Sequence, residues 1–430
     1  MVLTWRPLAL ALLEVPLVVW LGTWWGWLVA AGVVVAVVVL DVVLAPSPRR
    51  LVVRRGGDTS IRLGQSAEVW VSVASQARST ARCRVRDAWV PSAGATGGVT
   101  SVVLPPGQRR RSTTVLQPTR RGDRRAGPVT VRVLGPLGFA GRQADHEVPW
   151  SVRVLPPFTS RKHLPSRLNR LRELDGRTTL LQRGQGTEFD SLREYVPGDD
   201  IRSIDWRGTA RSSTVVVRTW RPERDRHVLV VIDSGRASAG RVGDQPRLDL
   251  AMDATLLLAA LASRAGDRVD LLVADRQVRA SVQRKGPSEL LSALVQAMAP
   301  IEPFLIETHH RTLATEIGSR VGQRSLVVIL TALDHAAVTE GLLPSLAPLL
   351  RRHRVVVAAV SDPGSEELLA GHDTPAEAYA AAAAAVEAGR RESTARALRQ
   401  AGLTVVQSPP ARFAPDLADH YLALRRAGRV

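Results

Sequence analysis

The feature that most constrains this chain is its opening, where residues 7 to 44 are almost unbroken apolar sequence. One membrane-crossing helix needs about 20 apolar residues, so the stretch is too long for one span and about right for two short ones. The break falls at 22-GTWWGW-27, a tryptophan cluster between 8-LALALLEVPLVVWL-21 and 28-LVAAGVVVAVVVLDVVL-44. Indole side chains favour the membrane–water interface. The sequence therefore predicts a helical hairpin within residues 1–48, with spans of about 7–21 and 28–44. A secretory signal has one apolar core and a small-residue cleavage site, whereas here a second, longer span follows directly. Arg6 precedes the first span, and Arg49, Arg50, Arg54 and Arg55 follow the second. Arginines flanking spans stay cytoplasmic, which predicts a multi-pass protein of the cell membrane with its soluble domains in the cytoplasm. Glu14 lies inside the first span, where an ionised carboxylate is costly; it is expected to be neutral, paired with the other helix, or near an interface.

The rest of the chain is long enough for more than one core, with 430 residues and 45% hydrophobic content. A formal charge of +18 would ordinarily point to nucleic acid or an anionic surface. Only Lys162 and Lys285 are lysines, however, so the charge is almost all arginine in a chain rich in Ala, Val, Gly and Pro, the composition of a GC-rich bacterial coding sequence. No run interleaves aromatic with basic residues as a stacking groove requires, and no nucleic-acid partner is expected. The single cysteine, Cys83, excludes an internal disulfide framework. It sits in the strand-like run ARCRVR without a histidine partner and reads as a half-buried thiol rather than a nucleophile.

From about residue 49 to 157 the hydrophobic period becomes two: 67-AEVWVSV-73, 81-ARCRVRDAWV-90, 99-VTSVVL-104, 111-RSTTVLQP-118, 128-PVTVRVLGPLG-138 and 147-EVPWSVRVLP-156. Short alternating runs punctuated by Gly, Pro and Ser predict a small antiparallel sandwich. It holds no cluster of His, Cys or carboxylates at ligand spacing, so a spacer or interaction role is expected. A basic segment begins the next region, 158–226. From 227 to 430, buried-type strands (227-HVLVVID-233, 268-RVDLLVA-274, 325-SLVVILTAL-333, 354-RVVVAAV-360, 403-LTVVQ-407) alternate with helical stretches, predicting a doubly wound, mostly parallel α/β sheet. Ligands of such sheets sit beyond the carboxyl ends of the strands. The first strand ends there in Asp233.

Within 158–226 lies 186-GTEFDSLREYVPGDDIRSIDWRGTAR-211, which packs six carboxylates (Glu188, Asp190, Glu194, Asp199, Asp200, Asp205) among four arginines (Arg193, Arg202, Arg207, Arg211). Pro197-Gly198 reads as a turn, and Asp199 or Asp200 as the cap of a short helix from Ile201 toward Gly208. Arg193 and Glu194 fall in the strand or turn entering it, Tyr195 and Trp206 are placed to close the segment against the sheet, and 214-TVVVRTW-220 is expected to pair beside 227-HVLVVID-233. Arginine and carboxylate can neutralise one another by bidentate pairing, with Asp205 and Arg202 the expected members of a clamp. A hydrolytic metal site from Glu188, Asp199, Asp200 and Asp205 would set guanidinium groups among its ligands, and no histidine occurs from 164 to 226. The segment therefore reads as a structural clamp or docking surface. His309 and His310 lack a partner at metal-ligand spacing and read as exposed loop residues.

The REYVPGDDIRSIDW core, with 223-ERDRHVLVVIDSGRAS-238, the following RLDLAMDATLLLAALASRAGDRV and the earlier 120-RRGDRRAGPVTVRVLGPLG-138, resembles the bacterial family called domain of unknown function 58. The resemblance implies a membrane hairpin, a β-rich region and a domain similar to von Willebrand factor type A. It also implies a partner, a MoxR-type AAA ATPase, in assembling or remodelling client proteins, and no enzymatic activity. Type A domains that bind Mg²⁺ use Asp-x-Ser-x-Ser after the first strand, a threonine from a later loop and often an aspartate after the fourth strand. Here Asp233 matches the first ligand, while Gly235 and Ala237 hold the serine positions and Ala332 the expected aspartate position, with Asp334 two residues on. Ser234, Ser238, Thr331 and Asp334 could supply oxygens to a rearranged Mg²⁺ site; otherwise no cofactor is expected, and Asp233 caps a helix or pairs with an arginine. The leading expectation is a membrane-anchored cytoplasmic scaffold or adaptor. A metal-dependent hydrolase centred on 188–205 and an extracytoplasmic adhesion or sensor protein are the alternatives.

Overall fold

The computed structural model of the chain describes residues 1–428 apart from 78, 182–187, 222–225, 323 and 372. It divides into two compact units, Met1–Leu155 and Pro156–Val430.

The first unit opens with a short strand β1 (Val2–Leu3), then helices α1 (Arg6–Leu21) and α2 (Trp24–Leu44). The reversal between them is tighter than the sequence suggests. Gly22, with φ of 59°, and the extended Thr23 turn the chain, so Trp24, Trp25 and Trp27 belong to the first turns of α2 rather than to the break. Among the described residues one helix, Trp24–Arg50 with its short extension, is long and apolar enough to cross a membrane. The shorter α1 carries Pro16, which removes one helical hydrogen bond, and Glu14, with one buried carboxylate oxygen lacking a partner among the described residues.

Ten strands follow: β2 (Leu51–Gly57), β3 (Ser60–Arg62), β4 (Ala67–Ser75), β5 (Ala81–Trp89), β6 (Ala95–Thr96), β7 (Val99–Leu104), β8 (Arg109–Leu116), β9 (Gly122–Leu134), β10 (Ala140–His146) and β11 (Ser151–Leu155). They form two sheets, one ordered β2-β4-β8-β6 and the other built around β9, which pairs with β5, β10 and β11. The alternation does its expected work: Val69, Val71 and Val73 from one sheet and Val129, Val131 and Val133 from the other turn inward, with Cys83 and Leu104 among them. Burial pushes the Cys83 thiol up to about 11, so it is an inert core residue, more deeply buried than its sequence setting suggests.

Asp41, one turn from the end of α2, ties that helix to this unit. Fully buried, it accepts the backbone N–H groups of Leu137 (2.8 Å), Phe139 (2.7 Å) and Ala140 (2.8 Å). A Cβ on Gly135 would fall 2.2 Å from its carboxylate. The loop 135-GPLGFA-140 must therefore begin with glycine, because any side chain would occupy the carboxylate's place.

The second unit begins with α3 (Leu164–Leu181) and an antiparallel hairpin of β12 (Glu188–Glu194) and β13 (Val216–Arg221), with a one-turn helix α4 (Trp206–Thr209) between its strands. β13 pairs with β12, not with the strand that starts at His227 as the sequence suggested. A single strand following a Pro-Gly turn finds its partner most cheaply in the strand just before it, because closing a short loop costs little entropy.

The α/β portion comprises β14 (His227–Asp233), α5 (Arg236–Ala239), a two-residue ribbon β15 (Arg241–Val242) and β16 (Gln245–Pro246), α6 (Arg247–Arg264), β17 (Arg268–Ala274), β18 (Val278–Val282), α7 (Pro287–Met298), α8 (His310–Arg320), β19 (Ser325–Leu330), α9 (Leu343–Leu350), β20 (Arg354–Val360), α10 (Gly364–Ala370), α11 (Pro375–Gln400), β21 (Thr404–Ser408) and α12 (Pro410–Arg426). The sheet order is β18-β17-β14-β19-β20-β21, all parallel except the edge strand β18, which follows β17 as a hairpin. The chain runs outward from β14 in one direction, then returns to β19 and runs outward in the other. The switch between β14 and β19 opens a crevice at their carboxyl ends, where sheets of this kind bind ligands. Helix α6, apolar nearly all round, is buried along most of its length and packs beside α12.

Candidate functional site

Asp233 ends β14 at that switch point and is 2% exposed. Its Oδ1 accepts the Gly235 N–H (2.9 Å) and the Thr308 hydroxyl, and its Oδ2 accepts the Thr331 hydroxyl (2.7 Å). The Ser238 hydroxyl donates to its peptide oxygen. A Cβ on Gly235 would lie 2.3 Å from Thr308 Oγ1, which accounts for glycine where a ligand serine was sought. Thr331, rather than position 332, supplies the contact from β19. Asp334 is elsewhere: its Oδ1 accepts the Ala337 N–H (3.1 Å). Ser234 turns away and donates to Asp275 (3.3 Å). Burial pushes the Asp275 carboxyl up, but hydrogen bonds from Arg279 and the Gln277 N–H outweigh it and hold it below its ordinary value.

Two residues here were not found from sequence. Thr308 has no local signal, because its role depends on a contact 75 residues away. His310 is half-buried as the first residue of α8, against Gly341, rather than exposed; burial pulls its pKa down, and nearby Asp233 opposes that pull in part. His309 is exposed and caps α8, its Nδ1 accepting the Thr312 N–H (3.2 Å).

These residues do not fit a divalent cation. Mg²⁺ and Ca²⁺ take six or more oxygens, commonly from several carboxylates. Asp233 is the carboxylate on which the Thr308 and Thr331 hydroxyls converge, its oxygens are taken by neutral donors, and Gly235 and Ala237 offer no side-chain ligand. Among the described residues no three His, Cys, Asp or Glu side chains converge. Depressions flank Asp233 instead. On the Thr331 side a water-sized cavity of about 10 Å³ is lined by Ser238, Arg247, Thr331, Ala332, Val360 and Phe413. On the Thr308 side an open cleft of about 440 Å³ is lined by Arg276, Glu307, Thr308, His309 and Thr312.

The acidic segment is organised by short-range contacts. Arg193 forks onto Asp199 (2.7 and 2.5 Å), which also accepts the Val196 N–H (3.0 Å) across the Pro197-Gly198 turn, where Gly198 has φ of 110°. Asp200 accepts the Arg202 N–H (3.0 Å) and caps a single turn from Ile201 to Ser203. Asp205 caps α4 through the N–H groups of Arg207 and Gly208 (3.0 Å each), and its Oδ2 takes Arg218 Nε (2.9 Å). The expected partner, Arg202, is exposed, because capping turns Asp205 across the hairpin toward β13 instead. Arg207 and Arg211 are exposed too. Glu194 accepts the Thr214 hydroxyl (3.3 Å) and Tyr195 donates its N–H to Val215 (2.8 Å). Trp206, expected to close against the sheet, is 68% exposed. The side chains of Glu188 and Asp190 lie outside the described residues.

At the opposite, amino-terminal edge of the sheet, His227 lies 2.9 Å from Asp270 and 3.2 Å from Ser325. The residue types are those of a nucleophilic triad, but the three are only 4, 3 and 2% exposed. No substrate reaches that serine; the row stitches β17, β14 and β19 together. Burial pushes Asp270 up, yet the hydrogen bonds from His227 and the Arg284 N–H hold it below its ordinary value.

Fold and site define a multi-domain protein with an N-terminal apolar helix, a β-rich region and an α/β sheet whose switch-point residues are tied to one another. Residues 191–401 match the model of the family described as "Protein of unknown function DUF58". It is 26% identical over 187 residues to uncharacterized proteins of Mycobacterium bovis and Mycobacterium tuberculosis, a match covering 43% of this chain and 58% of each relative. Among solved structures, the CARDB domain of PF1109 from Pyrococcus furiosus (19% identity, 24% of this chain, 94% of that one, TM-score 0.18) and a membrane spanning protein from Vibrio fischeri (12%, 47%, 99%, TM-score 0.16) are similar over the stated parts. Likenesses at these scores define neither fold nor function.

Proposed function

We propose that the chain is a membrane-anchored docking protein. In this reading α1 and α2 make a two-span hairpin and the sandwich is a spacer. The α/β domain, similar to von Willebrand factor type A, acts with the β12–β13 hairpin on the cytoplasmic side to engage a partner. The observation that carries it is the exposure of Leu192 in β12 and of Val196, Ile201, Trp206 and Val215 in the segment that joins β12 to β13. Such a sheet is marginal alone in water, and clustered exposed apolar residues mark interaction sites, with tryptophan a frequent anchor. Asp199, Asp200 and Asp205 are each engaged by local donors, which supports a structural rather than hydrolytic use of the acidic segment. The family resemblance supplies the partner class, a MoxR-type AAA ATPase acting on client proteins. Nothing in the reading calls for catalysis, a cofactor or nucleic acid.

A photo-crosslinking amino acid at position 206 or 201 in native membranes, read by mass spectrometry, tests it. Crosslinks to an AAA ATPase are expected. Adducts no more frequent than from exposed Arg352 would remove the docking role. Cleavage of the C-terminal unit by protease added to intact cells would favour the extracytoplasmic alternative.

A further inference from the structure

We propose that the end of the sandwich nearest the α1–α2 hairpin is a binding surface for anionic lipid headgroups. This rests on the membrane-anchored reading above and goes beyond it, giving the sandwich a surface of its own rather than the role of a spacer.

The positive charge of the chain is not evenly spread. Residues 1–155 hold 20 arginines against 8 carboxylates, a net +12 of the total of +18. Strand register shows where that charge falls. The end of the sandwich that meets the hairpin is formed by the start of β2, the end of β4, the start of β5, the turn before β8 and the loop 135–140. Asp41 of α2 accepts three N–H groups of that loop, and Arg6, the first residue of α1, donates Nη1 to the Leu137 peptide oxygen (2.7 Å). The Gln76 N–H donates to the Arg50 peptide oxygen (3.2 Å) and the Ser75 N–H to that of Gln108 (3.0 Å), which sets the loop after β4 and the turn before β8 beside the exit of α2. Both helices of the hairpin are thus fastened to this one end.

Five exposed arginines stand there: Arg49 and Arg50 just before β2, Arg82 second in β5, and Arg109 and Arg110 opening β8. Each lies within two residues of a strand end, roughly 7 Å along a strand. None of the five forms an ion pair among the described residues. All six carboxylates of the sandwich lie toward the opposite end: Asp58 after β2, Glu68 at the start of β4, Asp87 in the second half of β5, Asp123 at the start of β9, and Asp145 and Glu147 where β10 closes. An arginine-rich composition accounts for many guanidiniums, but not for this separation of the two signs along one axis.

Place and charge together select the occupant. A bilayer spanned by α2 presents its headgroups where that helix ends, so the arginines meet lipid phosphate without a diffusional encounter. Basic clusters beside a span bind anionic lipid, each residue near the surface contributing about a fivefold gain, and the guanidinium fork matches phosphate oxygens.

The test uses the full chain with Gln108→Cys, at an exposed position of the turn before β8, labelled with bimane. Cys83 is buried with its thiol pushed up to about 11, so labelling is selective. The protein is reconstituted in vesicles of phosphatidylcholine, with or without phosphatidylglycerol, both carrying a trace of phosphatidylcholine with a nitroxide on its headgroup. Phosphatidylglycerol is expected to raise quenching of the bimane about twofold or more, and molar salt should return it to the neutral-lipid level. Replacing Arg49, Arg50, Arg109 and Arg110 together by glutamine should abolish the rise. Replacing the same four by lysine should keep it, which shows that a lost response reflects lost charge and not a lost fold. A bimane on Arg120→Cys, exposed in the turn before β9 at the opposite end, should not respond.

No response to phosphatidylglycerol at position 108 would overturn the proposal, as would a rise that survives the glutamine replacements or an equal rise at position 120. Arginine-dependent binding of a labelled oligonucleotide by a chain that ignores phosphatidylglycerol would make the patch a nucleic-acid surface instead. The two readings fail separately. A chain released from the vesicles by alkaline carbonate removes the membrane anchor, whereas a chain that stays in the bilayer without answering phosphatidylglycerol removes the lipid surface alone.

Discussion

Asp233 and Asp205 each collect three donors, and the comparison shows how differently one side chain is used in two parts of a chain. Asp233 is buried, and its partners, the Gly235 N–H and the Thr308 and Thr331 hydroxyls, are neutral and come from three segments, two of them 75 and 98 residues away. Asp205 is half-buried beside the exposed Arg218, and its donors, the Arg207 and Gly208 N–H groups and Arg218, lie within 13 residues and include a full positive charge. The first carboxylate joins the ends of β14 and β19 to the loop before α8, so it is a tertiary fastening. The second shapes a local turn and hairpin and leaves apolar side chains facing water. Fastened edge and exposed hairpin suit a protein that holds one surface rigid while offering another.

The comparison breaks first if Asp233 proves dispensable. Asp233→Ala strands two hydroxyls and a backbone N–H with little solvent access, and an unsatisfied buried group costs about 1–3 kcal/mol. A loss of roughly 3–5 kcal/mol is expected in denaturant unfolding of the full chain followed by hydrogen exchange at β14 and β19. Asp233→Asn, which keeps an acceptor, should lose clearly less. Equal losses from the two would mean that packing, not the hydroxyl contacts, holds the edge.

A smaller effect is expected at Thr331. Replacing it with valine preserves shape and removes one hydrogen bond to a charged group, worth about 1.5–3 kcal/mol, while Thr331→Ser keeps the hydroxyl and should stay near the parent in the same exchange experiment. If valine is neutral, Oδ2 of Asp233 has found water, and the crevice is wetter than the contacts imply.

How far each region could be read in the sequence follows the same division between local and distant causes. The continuous Val and Ile runs of β14, β19 and β20 and the alternation of Val69, Val71 and Val73 declare strands because each residue reports its own burial. Strand β10, 140-AGRQADH-146, has no such pattern, and edge strand β18, 278-VRASV-282, is too short and polar to stand out. Asp233 was legible as the last residue of a buried strand. Thr308 and Arg218 were not, since one needs a fold-level contact and the other a hairpin register. Asp41 was invisible for another reason: its donors are main-chain N–H groups, which nearly every residue carries, and only the glycine at 135 hints that something must fit there. The capping aspartates of the acidic segment were legible as a type, although Asp205 found Arg218 instead of Arg202.

At Asp205 itself the expected effect on overall unfolding is small. Asp205→Ala removes a cap and an ion pair that both lie within the β12–β13 hairpin, so the main transition should move little, while exchange of the Arg207 and Gly208 amides should speed up. A large drop in the main transition would make the hairpin part of the core structure after all.

The smallest effect is the one acid should produce. Arg193, and then the Val196 N–H, hold the Asp199 carboxyl below its ordinary value of 3.8; Arg218, and then the Gly208 N–H, do the same for Asp205. For a carboxylate whose folded pKa is depressed, the stabilising contribution is fully present above the unfolded value and is lost as pH falls through the folded one. The hairpin should therefore be indifferent to pH from neutrality to about pH 5 and loosen only below about pH 4. Because the one native thiol, Cys83, is buried with its pKa pushed up to about 11, a cysteine placed at exposed Arg202 can be labelled selectively with an environment-sensitive dye. The dye should report a single acid transition below the ordinary carboxylate range. Asp199→Asn and Asp205→Asn should each reduce its amplitude, because an amide cannot titrate. An unchanged transition in the double substitution would assign the loosening to other carboxylates and dissolve the contrast between an arginine-held surface turn and a hydroxyl-held buried edge.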